Sequence, residues 1–291
     1  MAIVQLVISG IALGCIYALI ALGFVLIYKA TETVNFAQGE LMMLGAFGAL
    51  VLMKSAGWPF WAAAPLAVVG MMALGVGVER LVIRPILGQP QFTVVMLTIG
   101  MGYMMRGLIT MVPEIGSDTN TLDVPYKGQV ISFNGAVISV DQLMIIAATA
   151  LLCALLFSMF RFSKIGIAMQ AASQNQLAAY YMGIPVRRLN GLVWGLSAAV
   201  AALAGLLLAP ITFVHANMGF IGLKAFPAAV VGGFGSLPGA IVGGLTIGLV
   251  EAFAGFYLPE GFKDIAAYVV VLVMLVVRPN GLFGGNARKK V

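Results

Sequence analysis

Charged side chains are scarce in this chain. Of its 291 residues, 16 are Lys or Arg and 10 are Asp or Glu, so 9% of the chain is charged and 62% is hydrophobic. Soluble domains carry roughly 25% charged residues, and the composition therefore excludes an ordinary aqueous surface. The apolar runs are continuous over about 18 residues or more, without the alternation typical of barrel strands. The sequence therefore predicts membrane-spanning helices.

Residues with catalytic or ligand-binding chemistry are equally few. His215 is the only histidine, and we expect it at the membrane interface near the outer end of a span. Cys15 and Cys153 lie inside separate apolar runs, which indicates packing residues rather than a disulfide or a metal pair. Neither a G-x-x-x-x-G-K-[ST] loop nor an H-E-x-x-H motif occurs. We therefore expect no enzyme and no metal or cofactor in this chain.

We predict an all-α fold, a polytopic transmembrane helical bundle that forms a single domain over residues 1–291. The segment at 220–236 is rich in glycine and carries Lys224 and Pro227, which leaves open whether it crosses the membrane. We therefore expect eight to nine membrane segments, some broken or half-length. They lie near 5–28, 39–56, 59–83, 92–112, 138–160, 190–213, 220–236, 238–258 and 264–278.

Basic residues indicate the orientation, because cytoplasmic loops carry an excess of Lys and Arg. The basic residues of one set of connections are Arg80, Arg84, Arg161, Lys164, Arg187, Arg188, Arg278, Arg288, Lys289 and Lys290. The charged residues of the 113–141 connection are Glu114, Asp118, Asp123, Asp141 and Lys127. We therefore expect 161–189 and the C-terminus in the cytoplasm, with 113–137 and the N-terminus outside. The net charge of +6 then marks the cytoplasmic leaflet rather than a nucleic-acid site.

Small residues recur at helical spacing in several spans. Glycines four positions apart on one face, or alanines in their place, let helix backbones approach closely in a membrane. We therefore predict tight helix packing at these positions. They are Gly10 and Gly14, Gly239 and Gly243, Gly244 and Gly248, and the stripe of Ala198, Ala201, Ala202 and Gly205.

The stretch TETVNFAQGE at 31–40 is unusually polar for its position between two apolar runs. Buried charge in a bilayer is costly, so polar groups there usually have a function. One interpretation is a helix break that lines or gates a path, where irregular backbone can lie beside water. The other is a cytoplasmic turn whose glutamates cap the next helix. We favour the first.

The cytoplasmic connection at 161–191 carries a second polar segment. Its centre predicts a short helix over 166–182, and Gly183 followed by Pro185 is typical of a helix stop. Its alanines make a flat surface that another protein could contact closely. The segment is either a connector lying on the surface or a docking helix for a cytoplasmic partner, and its composition favours neither.

Several motifs carry a resemblance. LAAYYMG at 177–183 is similar to the E-A-A-x-x-x-G signature of ATP-binding-cassette importer permeases, with Leu177 in place of the glutamate. The remaining motifs are GCIYALIALGFVLIYKATETVNFAQGELMMLGA at 14–46, ERLVIRPIL at 79–87, GLKAFPAAVVGGFGSLPGAIVGGLTIGLVE at 222–251 and VVRPNGLFG at 276–284. Together and in this order they resemble the LivH-type permeases of branched-chain amino-acid importers, over nearly the whole chain.

The resemblance implies a set of partners. A periplasmic amino-acid-binding protein would deliver the cargo, and a second permease subunit, either a paralogue or a second copy, would complete the path. Two cytoplasmic ATPase subunits would use ATP and Mg. The 161–190 loop would couple the permease to them, through Gln174, Asn175, Ala178, Ala179 and Gly183. Because Leu177 is not acidic, a salt bridge from that position is not implied.

Other residues are candidates for the path and its gate. Asn35 and Gln38 could hydrogen-bond a passing zwitterion, and Glu40 suits the positive end of the next helix dipole. Arg106 lies in an apolar span and faces the path, a partner subunit or the lipid surface. Glu251 is a further path candidate, or a group hydrogen-bonded inside the bundle. Gly232, Gly233 and Gly235 indicate either a hinge or a packing corner.

We conclude from the sequence that this is a permease subunit in a bacterial inner membrane, in contact with membrane lipids. It would move branched-chain or other hydrophobic amino acids inward by alternating access. One alternative is the same machinery with urea or a short amide as cargo. Another is an ion-coupled secondary transporter, which would need paired acidic groups at the membrane midplane.

The expected orientation predicts a labelling pattern. A cysteine introduced at Ser117 should react with an impermeant thiol reagent in intact cells, and one introduced at Ser173 should not. The chain without an introduced cysteine is the control, since Cys15 and Cys153 lie in apolar runs. The opposite pattern would overturn the orientation.

Overall fold

Helices account for nearly all of the regular structure in the computed structural model, which describes residues 2–113, 115–133, 136–259 and 261–284. Glu114, Arg288, Lys289 and Lys290, which entered the charge argument, lie outside the described residues. The predicted all-α bundle is confirmed. The elements are α1 (Ala2–Thr31), α2 (Gln38–Ala56), α3 (Phe60–Val78), α4 (Gln91–Thr110), β1 (Val130–Phe133), β2 (Ala136–Ser139), α5 (Val140–Phe162), α6 (Lys164–Gln174), α7 (Gln176–Tyr181), α8 (Val186–Thr212), α9 (Gly219–Lys224), α10 (Phe226–Gly232), α11 (Leu237–Tyr257) and α12 (Phe262–Val277).

Seven helices in the described part of the chain are long and apolar enough to cross a membrane: α1, α2, α3, α4, α5, α8 and α11. The helix that begins with α3 continues through irregular turns to Ile86. The remaining membrane segments are short. One is the α9–α10 pair, and the other is α12, with 16 residues. Seven of the expected eight to nine segments are therefore present as long helices, and membrane crossing by the α9–α10 pair and by α12 stays a prediction.

Helix α1 lies at the centre of the bundle. Its most apolar window is 89% buried, against 28% for α4 and for α5, and it packs on α11, α8, α5 and α10. The predicted glycines make this possible. Gly244 lies against the backbone of Ala18, and Gly248 lies against the backbone of Gly14. Without side chains at these positions, the α1 and α11 backbones approach closely.

Helix α8 packs in the same way on its other neighbours. Ala202 lies against Gly45 of α2, and Ala198 lies near Gly75 of α3. Gly205 meets the backbone of Met42. The predicted stripe of small residues on α8 is therefore the surface that receives α2 and α3, and its tight packing is confirmed.

The bundle has two distinguishable ends. At the end that we call the hairpin end, Lys54 Nζ donates to Asn120 Oδ1 (2.5 Å), and Asn120 pairs through its backbone with Val214. At the other end, the α6–α7 end, Gln176 Nε2 donates to the carbonyl of Ala30 (2.5 Å). The α9–α10 segment follows Val214 and leads to Gly235, which lies beside Lys29 at the α6–α7 end. The broken segment therefore connects the two ends of the bundle.

Two local predictions were incomplete or wrong. The sequence argument did not predict the antiparallel hairpin of β1 and β2. Its signal is the Asn-Gly dipeptide at 134–135, between β-branched runs and outside the described residues. The single helix predicted over 166–182 is wrong, because the chain forms α6 and α7 with a break at Asn175. The Asn175 Oδ1 accepts from Ala178 N (2.9 Å), which caps α7 and prevents one continuous helix.

The packing of α1 on α11 generates a stability prediction. Replacing Gly248 with Ala should lower the free energy of unfolding by about 1–3 kcal/mol, because the new methyl group would overlap the backbone of Gly14. Gly70 is the matched control, since it lies inside α3 with open space around its Cα. Gly70→Ala should leave stability equal or slightly higher. Thermal unfolding of the purified protein in detergent measures both, and equal stability of the two variants would contradict the packing argument.

Candidate functional site

The predicted helix break between α1 and α2 is present. Helix α1 ends at Thr31, Glu32 adopts a left-handed backbone conformation (φ +54°), and α2 begins at Gln38. The intervening residues turn back into the bundle. The amide of Phe36 donates to Thr98 Oγ1 of α4 (3.2 Å), and the amide of Ala37 donates to Asn35 Oδ1 (3.1 Å). These two amides of the irregular backbone therefore obtain their hydrogen bonds from side chains of the protein, as a buried position in a bilayer requires.

A buried polar cluster anchors this break. Asn35 and Gln38 are both fully buried, and Asn35 Nδ2 donates to Gln38 Oε1 (3.2 Å). Gln38 Nε2 donates to the carbonyl of Ser197 in α8 (3.3 Å). The Ser197 hydroxyl lies 3.0 Å from the carbonyl of Gly23 and 3.1 Å from Gln38 Oε1. Gly23 must lack a side chain, because a Cβ would overlap the Gln38 amide. The cluster therefore joins α1, α2 and α8.

The two amides predicted to line a path thus face the interior of the bundle. Their hydrogen bonds are made within the chain, so their contact with a passing substrate stays a prediction and requires the cluster to open. Sequence reasoning missed Ser197 and Gly23. A lone serine in an apolar run and one glycine among 36 carry no local signal of a shared site.

A buried ion pair lies next to the break. Glu40, in the first turn of α2, pairs with Arg106 of α4, and their side chains are 7% and 14% exposed. The Arg106 guanidinium lies over the ring of Phe220 in α9, 3.9 Å from its centroid, and 5.7 Å from that of Tyr103. Desolvated cation–π contacts of this kind stabilise a buried cation. Arg106, whose direction the sequence left open, therefore links α2, α4 and α9.

Helix α4 covers this ion pair only thinly. Most of α4 is exposed, including Tyr103 (65% exposed) and Met104 (58% exposed). Phe220, which lies under the guanidinium, is also 45% exposed. Only one layer of side chains therefore separates the ion pair from an exposed face of the bundle.

Glu251 belongs to a separate cluster. The Tyr17 hydroxyl donates to Glu251 Oε2 (2.5 Å), and Lys263 Nζ lies 3.8 Å from Oε1. Nearby, Lys224 of α9 pairs with Asp264 of α12 (2.5 Å). These contacts join α1, α11 and α12. Of the two interpretations of Glu251, hydrogen bonding inside the bundle is the one that the geometry shows.

Gly232, Gly233 and Gly235 lie at the corner between α10 and α11. Gly232 packs against the backbone of Gly239, and Gly233 has a left-handed conformation (φ +93°) close to Asn280. The chain after α12 closes this corner, because Leu282 N donates to the carbonyl of Val231 (2.8 Å). Gly235 alone of the three has open space around it. A hinge role for these glycines stays a prediction, and close packing explains Gly232.

The family of this chain follows from its similarity to known proteins. Residues 6–278 match the protein family described as the permease component of the branched-chain amino acid transport system. The chain is 32% identical to the high-affinity branched-chain amino acid permease protein LivH of Escherichia coli K12, over 99% of this chain and 97% of that protein. The chain belongs to this permease family.

Other relatives extend the match. The permease protein BraD of Pseudomonas aeruginosa is 31% identical over 99% of this chain and 97% of its own length. A probable LivH protein of Methanocaldococcus jannaschii is 28% identical over 93% of this chain and 89% of its own length. A solved chain described as PsaBC from Streptococcus pneumoniae in complex with Fab superimposes with a TM-score of 0.52, at 15% identity, over 96% of this chain and 92% of its own. That likeness supports the fold.

Family membership places the chain among transport subunits rather than enzymes, as a multi-pass protein of the inner membrane. The residues that the structure describes contain no group of three His, Cys, Asp or Glu side chains able to hold a metal ion. Cys15 and Cys153 are buried thiols, in agreement with the packing interpretation.

The exposed residues of the predicted coupling loop differ in part from the residues that the sequence predicted. Ala179 is buried (5% exposed) on the side of α7 that faces the bundle, so it cannot contact a partner directly. Gln174, Asn175 and Ala178 are exposed, as the prediction requires. The most prominent side chains are larger and were missed by the sequence argument: Leu177, Tyr180, Tyr181 and Met182, which are 64–83% exposed. Gly183 ends the helix in a left-handed conformation (φ +82°), as predicted.

The ion pair generates a prediction for a double-mutant cycle. Glu40→Gln should destabilise the permease by about 3–5 kcal/mol, because it leaves the buried Arg106 without a counter-charge. The double variant Glu40→Gln with Arg106→Gln should recover a large part of that loss. Unfolding in detergent measures each variant.

Glu32→Gln is the control for this cycle. Glu32 is exposed and forms no ion pair with any described residue, so its replacement should change stability by less than about 0.5 kcal/mol. Additive losses from the two single changes at Glu40 and Arg106 would show that the pair is not coupled.

Proposed function

We propose that this permease forms the membrane path of an ATP-binding-cassette importer for branched-chain or other hydrophobic amino acids. The observation that carries the proposal is the 32% identity, over 99% of the chain, to a high-affinity branched-chain amino acid permease. Its cargo enters the cytoplasm by alternating access, in which the path opens to one side of the membrane at a time.

The energy for transport comes from other subunits. The sequence has no phosphate-binding loop, so two cytoplasmic ATPase subunits supply ATP hydrolysis with Mg. A periplasmic protein captures the amino acid and delivers it, and a second permease subunit completes the path. The thinly covered face of α4 is our candidate for the surface that meets the second permease, since a span with few contacts of its own has most to gain from a partner.

The α6–α7 end is the cytoplasmic end in this proposal. The basic residues Arg80, Arg84, Arg161, Lys164, Arg187 and Arg188 belong to the connections of that end. Arg84 Nη2 donates to the carbonyl of Arg187 (3.2 Å), which brings two of these connections together. An excess of Lys and Arg on one side favours the cytoplasm. The N-terminus and the hairpin then lie outside, and the C-terminus lies inside.

We place the cargo beside the ion pair of Glu40 and Arg106. An amino acid is a zwitterion, whose carboxylate matches a guanidinium and whose ammonium matches a glutamate. The rings of Tyr103 and Phe220, which surround Arg106, are partly exposed and suit an apolar side chain. Cargo therefore replaces an interaction that the empty permease makes within itself, and Asn35 and Gln38 lie at the inner boundary of this site. Glu251 holds α12 in place rather than lining the path.

Coupling occurs through α6 and α7. Their break at Asn175 and the bond from Gln176 to the end of α1 connect this loop to the α1–α2 break. Movement of the ATPase against the exposed side chains of α7 is therefore transmitted directly to the polar segment at 31–40. Gln174, Asn175, Ala178 and Gly183 remain our candidates for coupling residues, together with Tyr180 and Tyr181.

An ion-coupled secondary transporter is less well supported. Such a protein needs buried carboxylates that are free to bind an ion or a proton. In the described part of the chain, the three buried glutamates have cationic partners: Glu40 with Arg106, Glu79 with Arg84 and Glu251 with Lys263. None of the buried glutamates in the described residues is therefore free of a cationic partner.

Reconstituted transport tests the proposal. Liposomes that contain the permease pair, the ATPase subunits and the binding protein should take up labelled leucine only with ATP and Mg. Urea should not be taken up. Leucine uptake driven by a sodium or proton gradient, without any ATPase, would refute the assignment.

The coupling loop generates a matched pair of variants. Gly183→Val should abolish transport-coupled ATP hydrolysis or retention of the ATPase, because a β-branched residue cannot keep the left-handed backbone that ends α7. Gly128 is the control, since it also has a positive φ (+74°), with open space around it, and lies in the hairpin-end connection. Gly128→Val carries the same backbone cost and should retain coupling. If Gly183→Val transports at the normal rate, α7 is only a connector.

A further inference from the structure

A cleft at the α6–α7 end is not accounted for by the transport path. It has a volume of about 470 Å³ and opens between the ends of α1 and α5 and the start of α11. Its polar lining includes Lys29, Arg161, Gln170 and Ser236, and its apolar lining includes Phe157 and Leu237. No acidic residue lines it.

The two cations of this cleft are not paired within the described residues, and the nearest acidic lining residue is Glu32, in an adjoining pocket that shares Lys29 and Gln170. Lys29 lies in the last turn of α1, and Arg161 lies in the last turn of α5. Neither forms an ion pair with any residue that the structure describes. The partial negative charge of each helix C-terminus, about half an elementary charge, offsets only part of each cation. Helix α11 begins in the same cleft at Leu237 and adds the positive end of its own dipole.

The apolar side of the cleft continues along the bundle. Phe157 and Leu237 also line a narrow crevice whose other walls are Leu22, Cys153, Leu156 and Ile241. These residues belong to α1, α5 and α11, and both α5 and α11 pack on α1. The crevice is therefore a seam over α1. The crevice itself is closely packed, so the apolar surface that a ligand of the cleft can contact is the exposed part of Phe157 (39% exposed).

From this shape and charge we propose that the cleft binds an anionic glycerophospholipid. The headgroup phosphate lies between Lys29 and Arg161, and the acyl chains lie along the exposed apolar surface beside Phe157. Basic pockets between transmembrane helices at a membrane surface suit such headgroups. A free phosphate ion shares the headgroup's charge but makes no contact with this apolar surface.

The proposal connects the lipid to the coupling loop. Gln170 belongs to α6 and lines the cleft, and its Nε2 donates to the carbonyl of Phe160 at the end of α5 (2.9 Å). A bound headgroup therefore contacts the element that begins the coupling loop. This inference rests on the proposed function only for the location of this end at a membrane surface, and lipid binding is measured without reference to transport.

Native mass spectrometry of the transporter assembled with its partners tests the proposal. Titration with phosphatidylglycerol should show one lipid per permease chain that phosphatidylcholine does not replace. In the double variant Lys29→Gln with Arg161→Gln, the dissociation constant of this lipid should rise about tenfold or more. Each single variant should show a smaller increase. Lys164→Gln is the control, because Lys164 is basic and belongs to the same end but does not line the cleft.

Three results would overturn the proposal. The first is phosphatidylglycerol binding to the double variant as tight as to the unmodified chain. The second is equal binding of phosphatidylcholine, which would show that charge is irrelevant. The third is displacement of phosphatidylglycerol by millimolar inorganic phosphate, which would show that the cleft holds a free anion. Variants are compared only as intact assemblies that retain the ATPase, so a loss of lipid cannot be attributed to unfolding.

Discussion

The structure depends on how the break after α1 satisfies its polar groups without water. A bilayer offers no hydrogen bonds to an irregular backbone, so residues 32–37 must obtain them from the protein. They do so by turning into the bundle, where Asn35 donates to Gln38, and Gln38 donates to the carbonyl of Ser197 and lies against Gly23. This requirement explains why α1 is surrounded by other helices and why α2 starts inside the bundle. Small residues on α8 and α11 allow the close packing that keeps water out.

In the function that we propose, the permease moves at the same break. Glu40, at the start of α2, reaches Arg106 on α4, and the guanidinium in turn contacts Phe220 on α9. Two incompletely packed elements, the thinly covered α4 and the broken α9–α10 segment, are thus tied to the break by one ion pair and one cation–π contact. Both contacts involve charge, and a zwitterionic cargo can compete for both. In this account the central α1 stays in place while its polar neighbours exchange partners.

Much of this architecture follows from local sequence pattern. Apolar runs predict the spans, glycine spacing predicts close backbone packing in α1 and in α11, and Gly183 predicts the end of α7. Pairings between distant residues do not follow from local sequence pattern. Glu40 and Arg106 are 66 positions apart, and no periodicity links them. The break at Asn175 was missed because its side chain caps a helix inside a run that favours helix throughout. Ala179 looked like a contact residue because composition does not show which face of a short helix is buried.

The central claim is that the path runs beside Arg106 and opens to one side at a time. The most direct measurement is the reaction rate of a cysteine at Tyr103 with a small impermeant thiol reagent, in the assembled transporter with and without trapped ATP. Tyr103 lies 5.7 Å from the guanidinium, so the account predicts at least a tenfold difference between the two states. A cysteine at Leu151, on the exposed face of α5, should show none. Equal rates at Tyr103 in both states would contradict the account.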